Sequence, residues 1–508
     1  MAGKSILLIH PPVAKPSEPP AGMARLAGAL RTRGIACHVI DANIEGLYHL
    51  LGNVQEPSDT WSRRALRHLK AHMAALQNQS AYRVPDKYRR AVADLNRLLS
   101  LVAKNAEIRV SLANYEDKNL SPLRSADLLE AAEQPECNPF YSFFQTRILK
   151  TVASLRPTAV GLSINFLSQA LCTFAIIGLL RKAHPGLTII IGGGLVTSWV
   201  RRPGWSNPFS SWVDHLIPGP GEAPLIQLMG KANPSRWPLP DYDDLVELPY
   251  LSPGFVLPFS ASDGCWWRRC AFCPETSEQN PYHPMPHTQA LDQLKALTRR
   301  TRPAMIHLLD NAVTPALLNR IAADPPGAPW YGFVRIGQPL DDPVVCRRLA
   351  ASGCIMLKIG LESGDQNVLD ALQKGVRLGM ASKVLRNLKE VGIATYVYLL
   401  FGTPSEDAAS AEKTLHFVAE HHRCIGFLNL AIFNLPTGSA GMDTLNRRRF
   451  YTGDLCLYSD FDHPLGWHRS AVRQFVERRF KKHPRIRPII RRDPPIFTSN
   501  HATFFCQE

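Results

Sequence analysis

No stretch of this 508-residue chain approaches the roughly 18 to 20 uninterrupted apolar residues that a membrane-spanning helix needs; the longest candidates are 187–194 and 396–401. The N-terminus, MAGKSILLIHPP, has too short an apolar run for a secretory signal and no small-residue cleavage site, so it reads as a first strand and the expected location is cytoplasmic. Cysteine is too thinly spread for a disulfide framework: of 11 residues, eight stand singly, at 37, 137, 172, 346, 354, 424, 456 and 506. Those eight are read as small buried hydrophobes. Glycine, 33 residues in all, is missing altogether between 55 and 150. There the sequence turns charged and rich in Leu and Ala, the text of an inserted helical segment, and it carries no metal or nucleotide signature.

The rest is the composition of a folded protein, 45% hydrophobic and 20% charged, and the length exceeds one ordinary core. The expected division is 1–230, with 55–150 inserted, then a Pro-rich linker over 231–254, a third region over 255–440, and a basic extension over 441–508. Much of the net charge of +15 sits in 468–492, HRSAVRQFVERRFKKHPRIRPIIRR. Such a stretch can hold nucleic acid, an acidic peptide or a membrane surface. The helical spacing of Val472, Phe475, Val476 and Phe480 fits equally well a docked terminal helix with a solvated basic face.

Strand, loop, helix, strand over 4–50, from Ile6–Ile9 through a helix near Met23–Thr32 to Ala36–Ile40, is one βαβ unit of a parallel sheet. The alternation resumes with Ala159–Ile164, a helix over 169–183, Thr188–Ile191 running into Gly192, Gly193 and Gly194, and His215–Ile217 leading to Gly219-Pro-Gly-Glu222. Loops at the carboxyl ends of parallel strands are where open α/β sheets bind ligands. Beyond the linker, strand-like runs at 305–309, 331–334, 356–359, 396–400 and 427–432 alternate with helices. Repeated βα is the grammar of a parallel barrel or part of one.

Where that repeat begins stands Gly264-Cys-Trp-Trp-Arg-Arg-Cys-Ala-Phe-Cys273. Three thiolates, Cys265, Cys270 and Cys273, at C-x4-C-x2-C can hold three irons of a 4Fe-4S cluster and leave the fourth open. A structural zinc site, the competing reading, wants a fourth ligand, with His283 and His287 the nearest.

These three cysteines resemble the cluster loop of the radical S-adenosylmethionine superfamily, whose usual spacing is C-x3-C-x2-C; here the first gap holds one more residue. The resemblance runs over 255–440 and implies a partial (β/α)6 barrel. It also implies S-adenosylmethionine contacts at Phe272, at Asp310 after the second barrel strand, at Arg335, at Glu362 and Ser363 in Gly360-Leu-Glu-Ser-Gly364, and at Gly402 in the fifth-strand turn. Read on the residues alone, Glu362 can instead cap the next helix, Asp310 can be a turn residue and Arg335 a surface arginine. The implied chemistry is reductive cleavage of S-adenosylmethionine to a 5′-deoxyadenosyl radical that takes hydrogen from an unreactive carbon.

The βαβ text ahead of this barrel is similar to the superfamily's subgroup with an N-terminal cobalamin-binding domain, through His10-Pro-Pro12, Asp41-Ala-Asn43, Gly161–Asn165, Gly192–Gly194 and Gly219–Glu222. That implies a Rossmann-like sheet with cobalamin over its carboxyl edge, near Ser163, Gly192, Gly193, Gly194, Gly221 and Glu222. The Asp-x-His-x-x-Gly motif that ligates cobalt elsewhere is absent, which excludes that binding mode; a Rossmann-like domain without cofactor is the alternative. The first expectation is a cobalamin-dependent methyltransferase acting at an unactivated carbon of a small molecule, lipid or peptide, with a reductant such as flavodoxin or ferredoxin. A cobalamin-independent isomerase, cyclase or sulfur-inserting enzyme is the second, and a non-catalytic iron–sulfur protein binding nucleic acid through the basic tail the third. The terminal Thr498–Ala502, between Phe497 and Phe504-Phe505, reads as a packed terminus or a cover over the site.

Overall fold

The computed structural model describes residues 4–102, 107–232, 236–439, 445–494 and 498–505. It divides into two compact units, residues 4–255 with Tyr451–Leu457, and 256–450 with 458–494 and the C-terminus. Among the described residues no helix is long and apolar enough to cross a membrane.

The first unit is built on five parallel strands in the order Ala36–Asp41, Ser5–His10, Ala159–Ser163, Thr188–Gly192, His215–Ile217. Ile6, Leu7, Leu8, Ile9, Val160 and Ile189–Ile191 are buried, as strands covered on both faces must be. The glycine-free insertion is helical over Thr60–Arg67, Leu69–Leu76 and Pro85–Val102, but it also contains a hairpin, Ile108–Val110 with Tyr115–Asp117. Its turn needs no glycine because the Ser111 hydroxyl accepts from Asn114 N at 3.0 Å, and Asn96 Oδ1 takes Leu112 N at 2.9 Å. The Pro-rich stretch after 236 lies against this unit, with Leu245 and Leu251 buried, Tyr250 donating to Asp41 at 2.8 Å, and Asp244 accepting from Val39 N.

The second unit carries six parallel strands in sequence order, Val256–Phe259, Met305–Leu308, Trp330–Val334, Cys354–Glu362, Ala394–Phe401 and Phe427–Ile432. Alternate residues face one interior. The lowest layer is Met305, Tyr331, Met356, Tyr396 and Phe427, packed with Ala502. His501 stacks on Tyr396 at 4.3 Å, and Phe505 packs on Phe427 at 5.2 Å, so the C-terminal turn is a packed terminus at the strand starts. Above them sit His307, Phe333, Lys358 and Tyr398; Lys358 Nζ is 2.9 Å from His307 Nε2, and His307 stacks on Tyr331. The basic tail is helical over Arg469–Phe475 and Arg487–Arg492. It buries Val472, Val476, Phe480, Ile486 and Ile489 and leaves Arg473, Arg478, Lys482 and Arg485 exposed, the docked-helix alternative.

Of the single cysteines, Cys172, Cys346 and Cys354 are buried as expected. Cys37, Cys424 and Cys456 are half-buried and Cys137 is exposed, while Cys506 lies outside the described residues.

Candidate functional site

The loop Cys265–Cys273 follows a two-residue strand, Ser262–Asp263, and ends on the short helix Pro274–Ser277. Asp310, after the second strand, fixes the approach to it, because its buried carboxylate accepts from Ala261 N at 3.1 Å and from Ser262 Oγ at 2.5 Å. Burial raises the Asp310 pKa against those two hydrogen bonds. Asp310 is therefore a turn anchor whose oxygens are taken up by the strand leading into the cysteines.

Cys270 is buried and Cys273 half-buried, and burial holds both as thiols, with Cys273 pushed up to about 11. Lys374 and Arg335 oppose this at Cys270, each lowering its pKa. Among the described residues no three His, Cys, Asp or Glu side chains stand together as a ready metal site. Binding iron here would require the thiols to shed their protons and converge, as metal binding coupled to deprotonation does. The donor set fits such a group: three sulfurs on one loop with two cations beside them.

Glu362 closes the fourth strand. A bulge between Gly360 and Glu362 turns it to φ 68°, a conformation that a non-glycine residue holds only when its surroundings fix it. What fixes it is Lys374, whose Nζ lies 2.8 Å from Glu362 Oε1 with both side chains buried, and 5.6 Å from the Phe272 ring centroid. Glu362 is not a helix cap; Asp365 caps the helix Gln366–Ala371 by accepting from Asn367 N. Ser363 is fully buried, its hydroxyl shared with Thr414 and accepting from Asp365 N, and so is turned to the fold. Arg335 lies with its guanidinium 3.9 Å from the Trp267 ring centroid and donates to Lys374 O, which makes it a partner of the cysteine loop rather than a surface arginine.

At the end of the fifth strand Gly402 N donates to Glu406, which is fully buried. Trp467 Nε1 donates to the same oxygen at 3.3 Å, and burial pushes the Glu406 pKa up to about 7. Glu406 Oε1, Thr403 Oγ1 and Ser405 Oγ are buried without a hydrogen-bond partner. Thus Glu362 ends the fourth strand and Gly402 directly follows the fifth, with Phe272 beside Lys374, while Asp310 and Ser363 carry hydrogen bonds within the fold. Sequence reasoning passed over Lys358 and His307. The available signal was a lone lysine inside the apolar run Ile355-Met-Leu-Lys-Ile359.

In the first unit the loops after three neighbouring strands meet. Asn165 Oδ1 accepts from Gly194 N at 3.0 Å, its Nδ2 donates to Ser163 Oγ at 3.2 Å, and Gly219 N donates to Thr197 at 2.8 Å. Gly193, at φ 101°, has no room for a side chain, since a Cβ would stand 2.5 Å from Ile164 O. A Cβ on Gly192 would stand 3.2 Å from Ile217 O and one on Gly221 3.3 Å from the Leu26 side chain, so these glycines are packed closely against the chain itself. Glu222 is paired with Arg25 at 2.7 Å. His10 ends the first strand buried, its Nδ1 without a partner, and burial lowers its pKa. Phe166 and Leu167, directly after Asn165, are 53% and 39% exposed.

The Radical SAM superfamily profile matches residues 259–418. No curated protein matches the chain. Among solved structures it is similar to the cobalamin-dependent S-adenosylmethionine radical enzyme OxsB with aqua-cobalamin and S-adenosylmethionine bound, at 14% identity and a TM-score of 0.54, over 85% of this chain and 53% of that one. It is also similar to the radical S-adenosylmethionine methyltransferase TsrM from Kitasatospora setae with cobalamin and a 4Fe-4S cluster bound, at 14% identity and a TM-score of 0.51, over 87% of this chain and 77% of that one. The chain thus spans about half the length of OxsB, and at these identities the likeness is one of fold.

Proposed function

We propose that this chain, whose residues 259–418 match the Radical SAM superfamily profile, is a radical S-adenosylmethionine enzyme and a cobalamin-dependent methyltransferase acting at an unactivated carbon. One observation carries the reading: a five-stranded parallel sheet whose strand-end loops gather at one edge precedes, in the same chain, a six-stranded sheet with a three-cysteine loop at its first strand. The fold shared with a cobalamin-dependent radical enzyme and with a radical methyltransferase solved with cobalamin bound supports it.

In this reading Cys265, Cys270 and Cys273 hold three irons of a 4Fe-4S cluster. When bound, the reduced cluster supplies the electron that cleaves S-adenosylmethionine, and cobalamin supplies methyl carriage. The chain's own residues do the rest. Asp310 holds the strand entering the cysteine loop, and Lys374 fixes Glu362 at the end of the fourth strand and lies beside the Phe272 ring. The aromatic layer closed by His501 and Phe505 excludes water from the strand starts, as a reactive intermediate requires. In the first unit, the unpartnered His10 Nδ1 and the exposed Phe166 and Leu167 suit a large planar ligand with polar edges lying on the sheet's carboxyl end, near Ser163 and Gly192–Gly194. The methyl acceptor is a small molecule, lipid or peptide, and the reductant a flavodoxin or ferredoxin.

The test is the absorption spectrum after anaerobic reconstitution with iron, sulfide and hydroxocobalamin and then desalting, beside a variant with Cys265, Cys270 and Cys273 all changed to Ala. The expected result is cluster absorption lost in the variant and cobalamin bands kept in both. A cluster without retained cobalamin would refute the methyltransferase reading, and absence of a cysteine-dependent cluster would refute the radical chemistry.

A further inference from the structure

The cysteine loop is latched to one short piece of backbone. Just past the helix Gln366–Ala371, three successive carbonyls accept from three different donors. Leu372 O takes Ala271 N at 3.0 Å, Gln373 O takes Trp267 Nε1 at 3.0 Å, and Lys374 O takes the Arg335 guanidinium. Leu372 is the cap residue and Gln373 and Lys374 lie beyond the helix, so none of the three carbonyls has a partner within it; the loop supplies one to the first two and Arg335 one to the third.

Trp267 is the centre of this contact. Its benzo ring lies so close to Gly375 that a Cβ there would stand 2.2 Å away, and Gly375 itself is at φ 65°. Arg335 sits over the indole with its guanidinium carbon 3.9 Å from the ring centroid, and Arg269 stands 5.2 Å from it. Arg268, next along, is at φ 50°, a left-handed turn inside the four-residue gap between Cys265 and Cys270. Neighbouring Trp266 differs: its Nε1 is buried without a partner.

We propose that Trp267, held by the Gln373 carbonyl, Gly375 and Arg335, is the positioning residue of the cysteine loop, taking up the additional residue of the first gap so that Cys265 and Cys270 remain within reach of one cluster. The proposal rests on the cluster reading above. Trp267 touches neither substrate nor reacting atoms, and it acts through the two cysteines on either side. Arg335 accordingly serves the loop, as a brace on Trp267 and a donor to the Lys374 carbonyl.

The experiment uses the full chain as wild type, Trp267→Ala, Trp267→Phe and Trp266→Phe, with far-UV circular dichroism to verify folding. In the reconstituted proteins the rate of iron loss to a chelator is followed anaerobically. In the metal-free proteins the alkylation rate of Cys270 by iodoacetamide is read by mass spectrometry. Trp267→Ala is expected to lose iron about 10-fold faster than wild type, the size of effect seen when a ligand's supporting shell is removed. It should also alkylate faster at Cys270. Trp267→Phe, which keeps a ring under Arg335 but not the Nε1 donor, should fall between, and Trp266→Phe should match wild type in both rates. Wild-type rates in folded Trp267→Ala would overturn the proposal, as would an equal effect from Trp266→Phe. If Trp267→Ala does not fold, Trp267→Phe decides by the same rates. If wild type holds no cluster, the radical reading fails and the alkylation rates alone decide the latch.

Discussion

Glu406 is a carboxyl group placed where ionisation is costly. It is fully buried, and one of its oxygens has no hydrogen-bond partner, so its pKa stands at about 7 instead of 4.5. Between those values the folded chain keeps a proton that the unfolded chain has lost, so stability falls as pH rises through that window and levels off above it. A shift of this size corresponds to ~3 kcal/mol. Glu406→Gln keeps acceptors for Gly402 and Trp467 but cannot ionise; urea midpoints at about pH 5 and about pH 8 should differ less in this variant than in wild type. Gly375 gives a second test. Gly375→Ala forces a side chain into Trp267 at a left-handed position and should lower stability by ~1–3 kcal/mol. Gly22→Ala, in a helix with nothing within 4 Å, should raise it by ~0.5–1 kcal/mol, both read from denaturant unfolding. Residue identity and spacing made the three cysteines legible in the sequence. The same sequence could not say whether Glu362 caps a helix, because that depends on Asp365 reaching the cap first and on Lys374 arriving from 12 residues away.

Period carried far at the scale of the element. The strands from 305 onward and the apolar face Val472, Val476 and Phe480 stand where alternation and helical spacing put them, while the first strand, Val256–Phe259, went unread in the Pro-rich text. What that face covers was not legible: Phe480 packs edge-on against Phe401 of the fifth strand at 5.3 Å. Phe480→Ala should therefore cost ~3–5 kcal/mol, a core loss from a segment whose sequence reads as a charged tail, checked by chemical denaturation. The fourth strand exceeds its periodic core, Met356–Ile359, because a bulge carries it on to Glu362, and a bulge leaves no mark in an apolar pattern. The hairpin within the insertion went unread for a related reason, since its turn is made by a serine hydroxyl where a glycine would have been visible.

Over the whole molecule, sequence order and packing part company after 450. Tyr451–Leu457 belongs with the first unit, where Leu455 N donates to Leu123 O and Asp454 Oδ1 accepts from Ser125 N at 2.8 Å. The helix Ser125–Glu133 has no cap of its own, for Arg124 offers it none, so an aspartate 329 residues away does the capping. Asp454→Ala should lower the stability of that unit by ~1 kcal/mol, visible as earlier exchange of amides in 125–133. The sequence by itself determined the chemistry in reach: three cysteines on one loop, two runs of βα text, and a basic tail with one apolar face. These are local, set by spacing along the chain. Only the tertiary structure decided which polar groups were spent within the fold, as at Asp310, Ser363 and Glu222, and which came together from distant segments, as at Trp267, Arg335 and Gly375. Such pairings are fixed by strand register and close packing, which join residues that the sequence keeps far apart.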